Sequence, residues 1–222
     1  MIGVKALAAP EWNISEILRY ARTKADADTT ALIDECIREA EAVLEYHVSF
    51  TRVSITQYWE ELSFGLIHTA SHTIKKAVIG CDSLLIFAAT IGTPFDRLIQ
   101  KYSRISPSKA LILHAIGAER VEALCDQFSR DYSISNGIKL RPRVSPGYGD
   151  ISLSMQRDIF AMLDCPRKIG LTLNDDLLMS PSKSVTAIAG ITDLSDDTVS
   201  VPDDCSHKCT CCDQTSCIYR EG

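Results

Sequence analysis

The sequence predicts an α+β fold, in which helices and strands build one core without alternating regularly. With 222 residues, of which 45% are hydrophobic, the chain is long enough to bury the core of one domain. Some segments carry apolar residues at helical spacing, and others alternate or run apolar over the length of a strand. Because the two kinds follow no simple alternation, the order favours α+β over a doubly wound sheet.

Two helices are predicted in an N-terminal part that covers residues 1–45. The first, over residues 10–21, starts with Asn13 as N-cap and has Glu16 three residues later as its capping-box partner. The second follows a polar run and extends to about residue 45. Its apolar residues recur at helical spacing: Leu32, Cys36, Ala40, Val43 and Leu44.

The middle of the chain predicts strands separated by a short helix. Residues 46–56 are β-branched and aromatic, and their alternation slips in phase near Val53, which predicts a strand with a bulge or a break. Ser71 is predicted to cap a short helix that ends at Gly80. Residues 84–90 form an apolar run of strand length and continue the core.

Two further helix starts are marked by proline. Thr93-Pro94 and Ser106-Pro107 fit the first turn of a helix, where proline loses no hydrogen bond. The second of these helices is predicted to be the longest, from residue 109 to about residue 130. It closes before Asn136-Gly137.

The C-terminal third predicts two strands that lie side by side. One covers residues 138–144, and a helix at residues 153–163, stopped by Pro166, follows it. The other strand covers residues 184–191, where side chains alternate. From residue 192 the chain is rich in Asp and Ser and is predicted to be a linker.

Charge and hydropathy exclude several classes of function. The net charge of −6 comes with no basic stripe, which argues against nucleic acid as a partner. No apolar run approaches the roughly 20 residues of a membrane span, and residues 1–10 lack the features of a signal peptide. No G-x-G-x-x-G loop follows a strand in this sequence, which argues against a Rossmann methyltransferase. We therefore expect a cytoplasmic protein without a membrane partner.

The nine cysteines fall into two groups. Four of them stand among apolar neighbours and are expected in the core: Cys36, Cys81, Cys125 and Cys165. Five others crowd into residues 205–222, and in a reducing cytosol they favour metal ligation over disulfides. The predicted ligands of a zinc ion or an iron-sulfur centre are Cys205, Cys209, Cys212 and Cys217, with Cys211 as an alternative to Cys205. Redox-sensing thiols are the third reading.

The stretch RPRVSPGYGD, residues 141–150, carries the candidate ligand site. Arg143 offers a planar fork of donors that suits a carboxylate or a phosphate. Pro142 and Pro146 stiffen the backbone around it, and Gly147 permits a close approach or a positive φ. Taken alone, this spacing favours an ordinary turn over a ligand site.

A second stretch, downstream of the first, makes the pattern more specific. Downstream, the chain carries Leu171-Thr172-Leu173, then Met179-Ser180-Pro181, then Ser184-Val185. Together the two stretches resemble the reactivation domain of cobalamin-dependent methionine synthase, whose pattern is R-x-x-x-G-Y, a helix, and a segment like G-x-x-L-T-E-S-x-x-M-x-P-x-x-S-V-S. The resemblance is carried by residues 141–191. It departs from the family pattern at Asn174, where the family has Glu.

The resemblance implies a fold and a binding site. The fold is a twisted, largely antiparallel sheet flanked by helices over residues 1–195, followed by a linker and cysteine-rich tail at residues 196–222. The implied ligand is S-adenosylmethionine. Arg143 would hold its carboxylate, Ser145 and Gly147 would offer backbone contacts to the adenosine, and Tyr148 would bring a ring and a hydroxyl. The family also places a carboxylate from the preceding long helix near the amino group, for which Glu122 is preferred over Glu119. No catalytic residue is implied.

The implied function is reactivation of an enzyme of methionine biosynthesis. In this reading the chain acts in trans on a cobalamin-dependent methionine synthase and supports reductive methylation of inactive cob(II)alamin. It is the activation component of that methyltransferase and not a complete enzyme. The partner carries the cobalamin, because the chain has no D-x-H-x-x-G signature, and flavodoxin or ferredoxin donates the electron. The alternative is a non-catalytic metal-binding or corrinoid-protein adaptor, or an activator of another corrinoid methyltransferase.

Overall fold

The structure is a computed structural model that describes residues 1–59 and 61–193. Its helices are α1 (Ile14–Ala21), α2 (Ala27–Glu41), α3 (His72–Ala77), α4 (Thr93–Ile105), α5 (Pro107–Asn136), α6 (Met155–Leu163) and α7 (Cys165–Ile169). Its strands are β1 (Gly3–Ala6), β2 (His47–Ser54), β3 (Thr56–Tyr58), β4 (Glu61–Phe64), β5 (Ile67–Thr69), β6 (Ser83–Thr90), β7 (Ile138–Leu140), β8 (Thr172–Leu173), β9 (Met179–Ser180) and β10 (Ser184–Asp193).

The main sheet has five strands in the order β1-β2-β6-β10-β7, and every neighbouring pair is antiparallel. β6 lies at its centre, and all of its residues are buried. Two smaller antiparallel sheets, β3-β4-β5 and β8-β9, accompany it. The predicted α+β class with an antiparallel sheet flanked by helices is therefore confirmed.

Two hydrophobic clusters cover the two faces of the main sheet. One lies under α1, α2, α4 and α5, and the other under α3, α6, α7 and the sheet β3-β4-β5. Because successive side chains of a strand point to opposite faces, Leu85 and Phe87 of β6 enter the first cluster while Leu84 and Ile86 enter the second. Both faces of β6 are thus shielded from solvent, which explains why this strand is an almost unbroken apolar run.

α5 organises the first of these clusters. It begins with proline in its first turn and runs to Asn136, beyond the predicted end near residue 130; Gly137 follows with a left-handed φ of 60°. The ring of Phe128 lies 5.1 Å from that of Phe50 and 5.2 Å from that of Phe87, centroid to centroid. This helix therefore ties β2 and β6 together from one side.

The N-cap of α1 is confirmed, but its capping box is completed differently. The Oδ1 of Asn13 accepts a hydrogen bond from the backbone N–H of Glu16 at 3.2 Å. In a complete capping box the side chain of Glu16 would accept the backbone N–H of Asn13. Here that N–H donates instead to the carboxylate of Glu119 on α5 at 3.1 Å. Glu16 instead pairs with Arg19 one turn later.

β2 contains no bulge, and the break lies at its end. It pairs with β6 residue for residue from His47 to Ser54. The apparent slip in phase arises because both faces are covered: Val48 and Phe50 pack on the first cluster, and Val53 packs on the second. After Ile55 the chain leaves for β3.

Pro166 begins a helix and does not stop one. α6 ends at Leu163 because Asp164 takes a left-handed conformation with φ 50°, and Pro166 then lies in the first turn of α7. Cys36, Cys125 and Cys165 are buried and Cys81 is partly buried, in line with the prediction for these four. No helix in the described residues has the length and apolar character to cross a membrane.

Candidate functional site

The candidate site lies at the β7 edge of the main sheet. After β7 the backbone N–H of Arg141 donates to the carbonyl of Gly190 at 2.9 Å, and Val144 and Ile188 then exchange two hydrogen bonds of 2.9 Å. The predicted strand 138–144 is therefore β7 followed by a single bridge. Strand 184–191 is confirmed as β10 and lies beside it.

Arg143 is held between two carboxylates of α5. Its Nη2 donates to Oε2 of Glu122 at 2.6 Å, and its Nη1 donates to Oδ1 of Asp126 at 2.5 Å. Val144, the next residue, packs on the second cluster, so Arg143 points to the opposite face, where α5 lies. Burial lowers the pKa of Arg143, but the neighbouring acidic groups outweigh this and raise it. The guanidinium is charged at every working pH.

Sequence reasoning selected Glu122 and missed Asp126. The structure brings Glu122 and Arg143 together, although 21 residues separate them. Asp126 follows Glu122 by four residues on the same helix, and residues at this spacing share a helix face. That spacing is the signal that would have revealed it.

The loop after Arg143 is a tight turn with Gly147 at its bend. Gly147 has φ 90°, the positive value that its position predicts. Its backbone N–H donates to the carbonyl of Ile151 at 2.9 Å, and the carbonyl of Ser145 accepts from Tyr148 at 3.2 Å. The side chain of Tyr148 projects outward, with 71% of the residue exposed.

Asp150 anchors this loop to α3, a role that the sequence did not reveal. Its carboxylate accepts hydrogen bonds from the hydroxyl of Ser71 at 2.6 Å, from the backbone N–H of His72 at 2.6 Å and from that of Thr73 at 3.1 Å. Hydrogen bonding by the side chains of Ser71 and Thr73, followed by the backbone N–H groups of His72 and Thr73, holds the pKa of Asp150 well below its usual range. The start of α3, capped by Ser71 as predicted, therefore positions the loop.

Glu119, the other carboxylate considered for the site, has a different set of contacts. It is buried, and it pairs with the fully buried Arg120. It also accepts the backbone N–H of Asn13. Its side chain therefore joins α5 to the start of α1.

The predicted metal ligands Cys205, Cys209, Cys212 and Cys217 lie outside the described residues, as does the predicted domain boundary at residue 195. Across residues 1–59 and 61–193, no group of three or more His, Cys, Asp or Glu side chains is arranged to hold a metal ion. The metal site therefore stays a prediction.

The described elements define a class of fold: a five-stranded antiparallel sheet with helices on both faces. The turn that follows Arg143 lies at one edge of this sheet. A solved structure with this fold is the crystal structure of the MetH reactivation domain bound to AdoHcy, with a TM-score of 0.62 and 13% sequence identity. The similarity covers 85% of this chain and 78% of that one. The predicted resemblance to a methionine synthase reactivation domain is confirmed for the fold.

Two other comparisons gave no match. No family model matches the sequence, and no curated protein matches it. At 13% identity the likeness to the solved domain concerns the fold alone. The ligand and the residues that bind it have to be argued from the site.

Proposed function

We propose that this protein binds S-adenosylmethionine at the Arg143 site and serves the reactivation of a cobalamin-dependent methionine synthase. The observation that carries the proposal is Arg143, held between Glu122 and Asp126 at the edge of a sheet. The fold is shared with a reactivation domain whose crystal structure is bound to AdoHcy, the demethylated form of this ligand. An arginine beside carboxylates suits the carboxylate and ammonium groups of an amino acid.

Arg143 is proposed to bind the ligand carboxylate. A guanidinium has five N–H donors in a fixed fork. Within the described residues, its hydrogen bonds to Glu122 and Asp126 use two of these donors. In this proposal the ligand carboxylate would bind to donors that these two ion pairs do not use.

The remaining contacts are assigned by chemistry and by the family resemblance. Glu122 would bind the ligand ammonium, because a carboxylate accepts several hydrogen bonds. Ser145 and Gly147 would offer the adenosine their backbone groups. Tyr148, with its exposed ring, would lie along the ligand. The protein contributes positioning, which is what a methyl transfer between two bound partners requires.

The partner in this proposal is a cobalamin-binding methionine synthase chain, on which the protein acts in trans. The cobalamin, carried by the partner, would supply the methyl-accepting chemistry, and flavodoxin or ferredoxin would supply one electron. The residues of this chain bind and orient the methyl donor. No acid-base step is assigned to them.

Calorimetric titration with S-adenosylmethionine tests the proposal. We expect saturable binding by the parent protein and, because the carboxylate loses its bidentate partner, a loss of at least about tenfold in affinity in Arg143→Ala. Arg167→Ala is the matched control, since Arg167 is an exposed arginine whose ion pair within the described residues is with Asp164, three positions earlier in the chain. Its affinity should equal that of the parent.

Two results would overturn the proposal. One is a folded parent protein that does not bind S-adenosylmethionine, which would favour the adaptor function. The other is an Arg143→Ala protein that binds as tightly as the parent. Metal analysis of the same full-length sample tests the prediction for Cys205, Cys209, Cys212 and Cys217, with zinc and iron as the expected elements.

A further inference from the structure

We propose that β1 is an interaction surface for a second copy of this chain. The two β1 strands would pair antiparallel about a two-fold axis at Val4, and this pairing would join two five-stranded main sheets into one continuous sheet. The inference is independent of the proposed function, because β1 and β7, the strand that leads to Arg143, form opposite edges of the main sheet.

The backbone of β1 has hydrogen-bonding groups that face outward. β1 pairs with β2 antiparallel, and the N–H of Leu7, just after β1, donates to a carbonyl just before β2 at 3.0 Å. Because hydrogen-bonded positions alternate along an antiparallel strand, Gly3 and Lys5 also turn their backbone groups towards β2. The backbone groups of Val4 and Ala6 point the other way, where the described part of the chain provides no strand to pair with β1.

The β1 edge has few of the features that keep sheets from pairing with one another. Natural edge strands are commonly blunted by charges, proline or bulges. β1 has the sequence GVKA, with no proline and a single charge on Lys5, and it pairs with β2 residue for residue. Val4 is 46% exposed, and alternation along the strand places Ile2 and Ala6 on the same face as Val4. An apolar stripe therefore accompanies the outward backbone groups.

The sequence of β1 complements itself when the axis lies at Val4. The two Val4 residues then face each other, and Ile2 lies opposite Ala6 of the second copy, which continues the apolar stripe across the axis. Lys5 lies opposite Gly3, so that no like charges meet. An axis at Lys5 would instead oppose two lysines, which destabilises a strand pair.

Gly3 leaves space for Lys5 of the second copy. Gly3 and Phe50 are paired across β1 and β2, and a Cβ at Gly3 would collide with the Phe50 ring. This ring is only partly buried, so it covers the glycine at the edge of the sheet. Directly opposed residues place their side chains on the same face. The stem of Lys5 would therefore lie beside the Phe50 ring, where its ammonium can also interact with the ring face.

Sedimentation velocity of the full chain under reducing conditions tests the inference. The reductant keeps cysteine cross-links from contributing to association. We expect a concentration-dependent dimer with a dissociation constant on the order of 10–100 µM, because a single pair of short strands makes a small interface.

Val4→Pro is the first variant. An axis at Val4 joins the two Val4 N–H groups to the two Val4 carbonyls, and proline removes both donors. The dimer should therefore weaken by at least about tenfold. The bonds between β1 and β2 remain, because the N–H of Val4 points away from β2 and proline is tolerated at such edge positions. Equal unfolding temperatures would show that the variant is folded like the parent.

Three further variants test the register and supply a control. Val4→Lys opposes two lysines at the axis and should also weaken the dimer by at least about tenfold. Leu111→Lys adds the same charge at an exposed position of α5 and should leave the dissociation constant unchanged. Lys5→Gln should change it by less than about threefold, because Lys5 faces a glycine. In the register that opposes the two lysines, Lys5→Gln would tighten the dimer.

Hydrogen exchange of the parent at low and high concentration locates the contact. The amides of Val4 and Ala6 should gain protection as the dimer forms, whereas that of Lys5 faces β2 in the monomer as well. A parent that stays monomeric up to about 500 µM would overturn the inference. So would a dimer that Val4→Pro leaves unchanged, or one that does not protect Val4, since either lies on another surface. Tightening in Lys5→Gln would contradict the axis at Val4.

The outcomes separate this inference from the proposed function. Val4→Pro should bind S-adenosylmethionine as tightly as the parent, because β1 and the Arg143 site lie at opposite edges of the main sheet. A parent that forms the β1 dimer and binds no S-adenosylmethionine would overturn only the proposed function. A monomeric parent that binds it would overturn only the dimer.

Discussion

Asp150 is the side chain that holds the candidate loop in place. It joins the loop to the start of α3 across 79 residues of sequence, through Ser71 and two backbone N–H groups. Each bond favours the ionised carboxylate, which is why the pKa of Asp150 is lowered. Protonation would therefore weaken the anchor.

The sign of the pH effect follows from this shift. Because the pKa of Asp150 is lower in the folded protein than in the unfolded chain, its contribution to stability is full above the ordinary Asp pKa of about 3.9 and declines as the pH falls towards the folded value. We expect Asp150→Ala to have a lower unfolding temperature than the parent at pH 7. The difference should shrink below about pH 4.

Thermal unfolding followed by circular dichroism at several pH values measures this difference. Asp158→Asn serves as the control, since Asp158 is exposed on α6. A gap between parent and Asp150→Ala that stays constant from neutral to acid pH would contradict the assignment. Such a result would mean that the ionised form of Asp150 is not what the loop requires.

At the scale of elements, a buried ion pair joins α5 to the chain before α1. Arg120 is fully buried, contacts the carboxylate of Glu119, and donates to the carbonyls of Pro10 at 2.7 Å and Glu11 at 2.6 Å. Its guanidinium carbon lies 3.8 Å from the centre of the Trp12 ring. The N-terminal segment is thus bound to α5 through a fully buried guanidinium.

Removing one partner of this pair should cost more than removing both. Arg120→Met leaves the carboxylate of Glu119 buried without its counter-charge, and we expect a loss of about 3–5 kcal/mol in the free energy of unfolding. The double variant Arg120→Met with Glu119→Gln leaves no buried charge and should lose less. Urea denaturation of the three proteins provides the comparison.

The double variant is its own control for the burial of charge. If it were as unstable as Arg120→Met, the loss would come from packing and from the carbonyl contacts with Pro10 and Glu11. That outcome would contradict an electrostatic origin. An unchanged denaturant slope is required in each case, because a changed slope would mean a different unfolded or folded state.

At the scale of the whole molecule, the sheet has a hydrophobic cluster on each face and β6 belongs to both. Phe87 enters the cluster under α5, and Ile86 enters the one under α6. Both are fully buried. Because one strand links the two clusters, we expect them to unfold together.

Substitutions on the two faces should therefore shift the same transition. Phe87→Ala should lose about 3–5 kcal/mol and Ile86→Ala about 2–5 kcal/mol, from lost burial and the cavity that remains. Circular dichroism and tryptophan fluorescence should report coincident midpoints. Leu111→Ala, an exposed position on α5, should change stability by less than about 0.5 kcal/mol. Separate midpoints for the two probes would mean that the faces unfold independently.

Local chemistry predicted several elements well. Asn13 and Ser71 cap their helices, Gly137 ends α5, and Gly147 takes its positive φ. A cap or a left-handed turn depends on a few neighbouring residues, and these are legible in the sequence. The longer periodic segments, such as α5, were recognised for the same reason.

Short elements escaped prediction because their partners are distant. β1 has four residues, and it is a strand because it pairs with β2 some 40 residues later. The start of α2 was also missed, since it begins inside a polar run and depends on Asp26 as cap. In such segments the energy lies in tertiary contacts, and the local pattern is weak.

The sequence by itself determined the α+β class, the turn that carries Arg143, and the resemblance to a reactivation domain. Only the tertiary structure decided that Asp126 flanks Arg143 and that Asp150 anchors the loop to α3. It also decided that Glu119 contacts the start of α1. Spacing along the chain does not show which of many carboxylates will pair with a given arginine. Only packing selects among them, because an ion pair needs its charges within a few ångströms, and that distance depends on how distant elements meet.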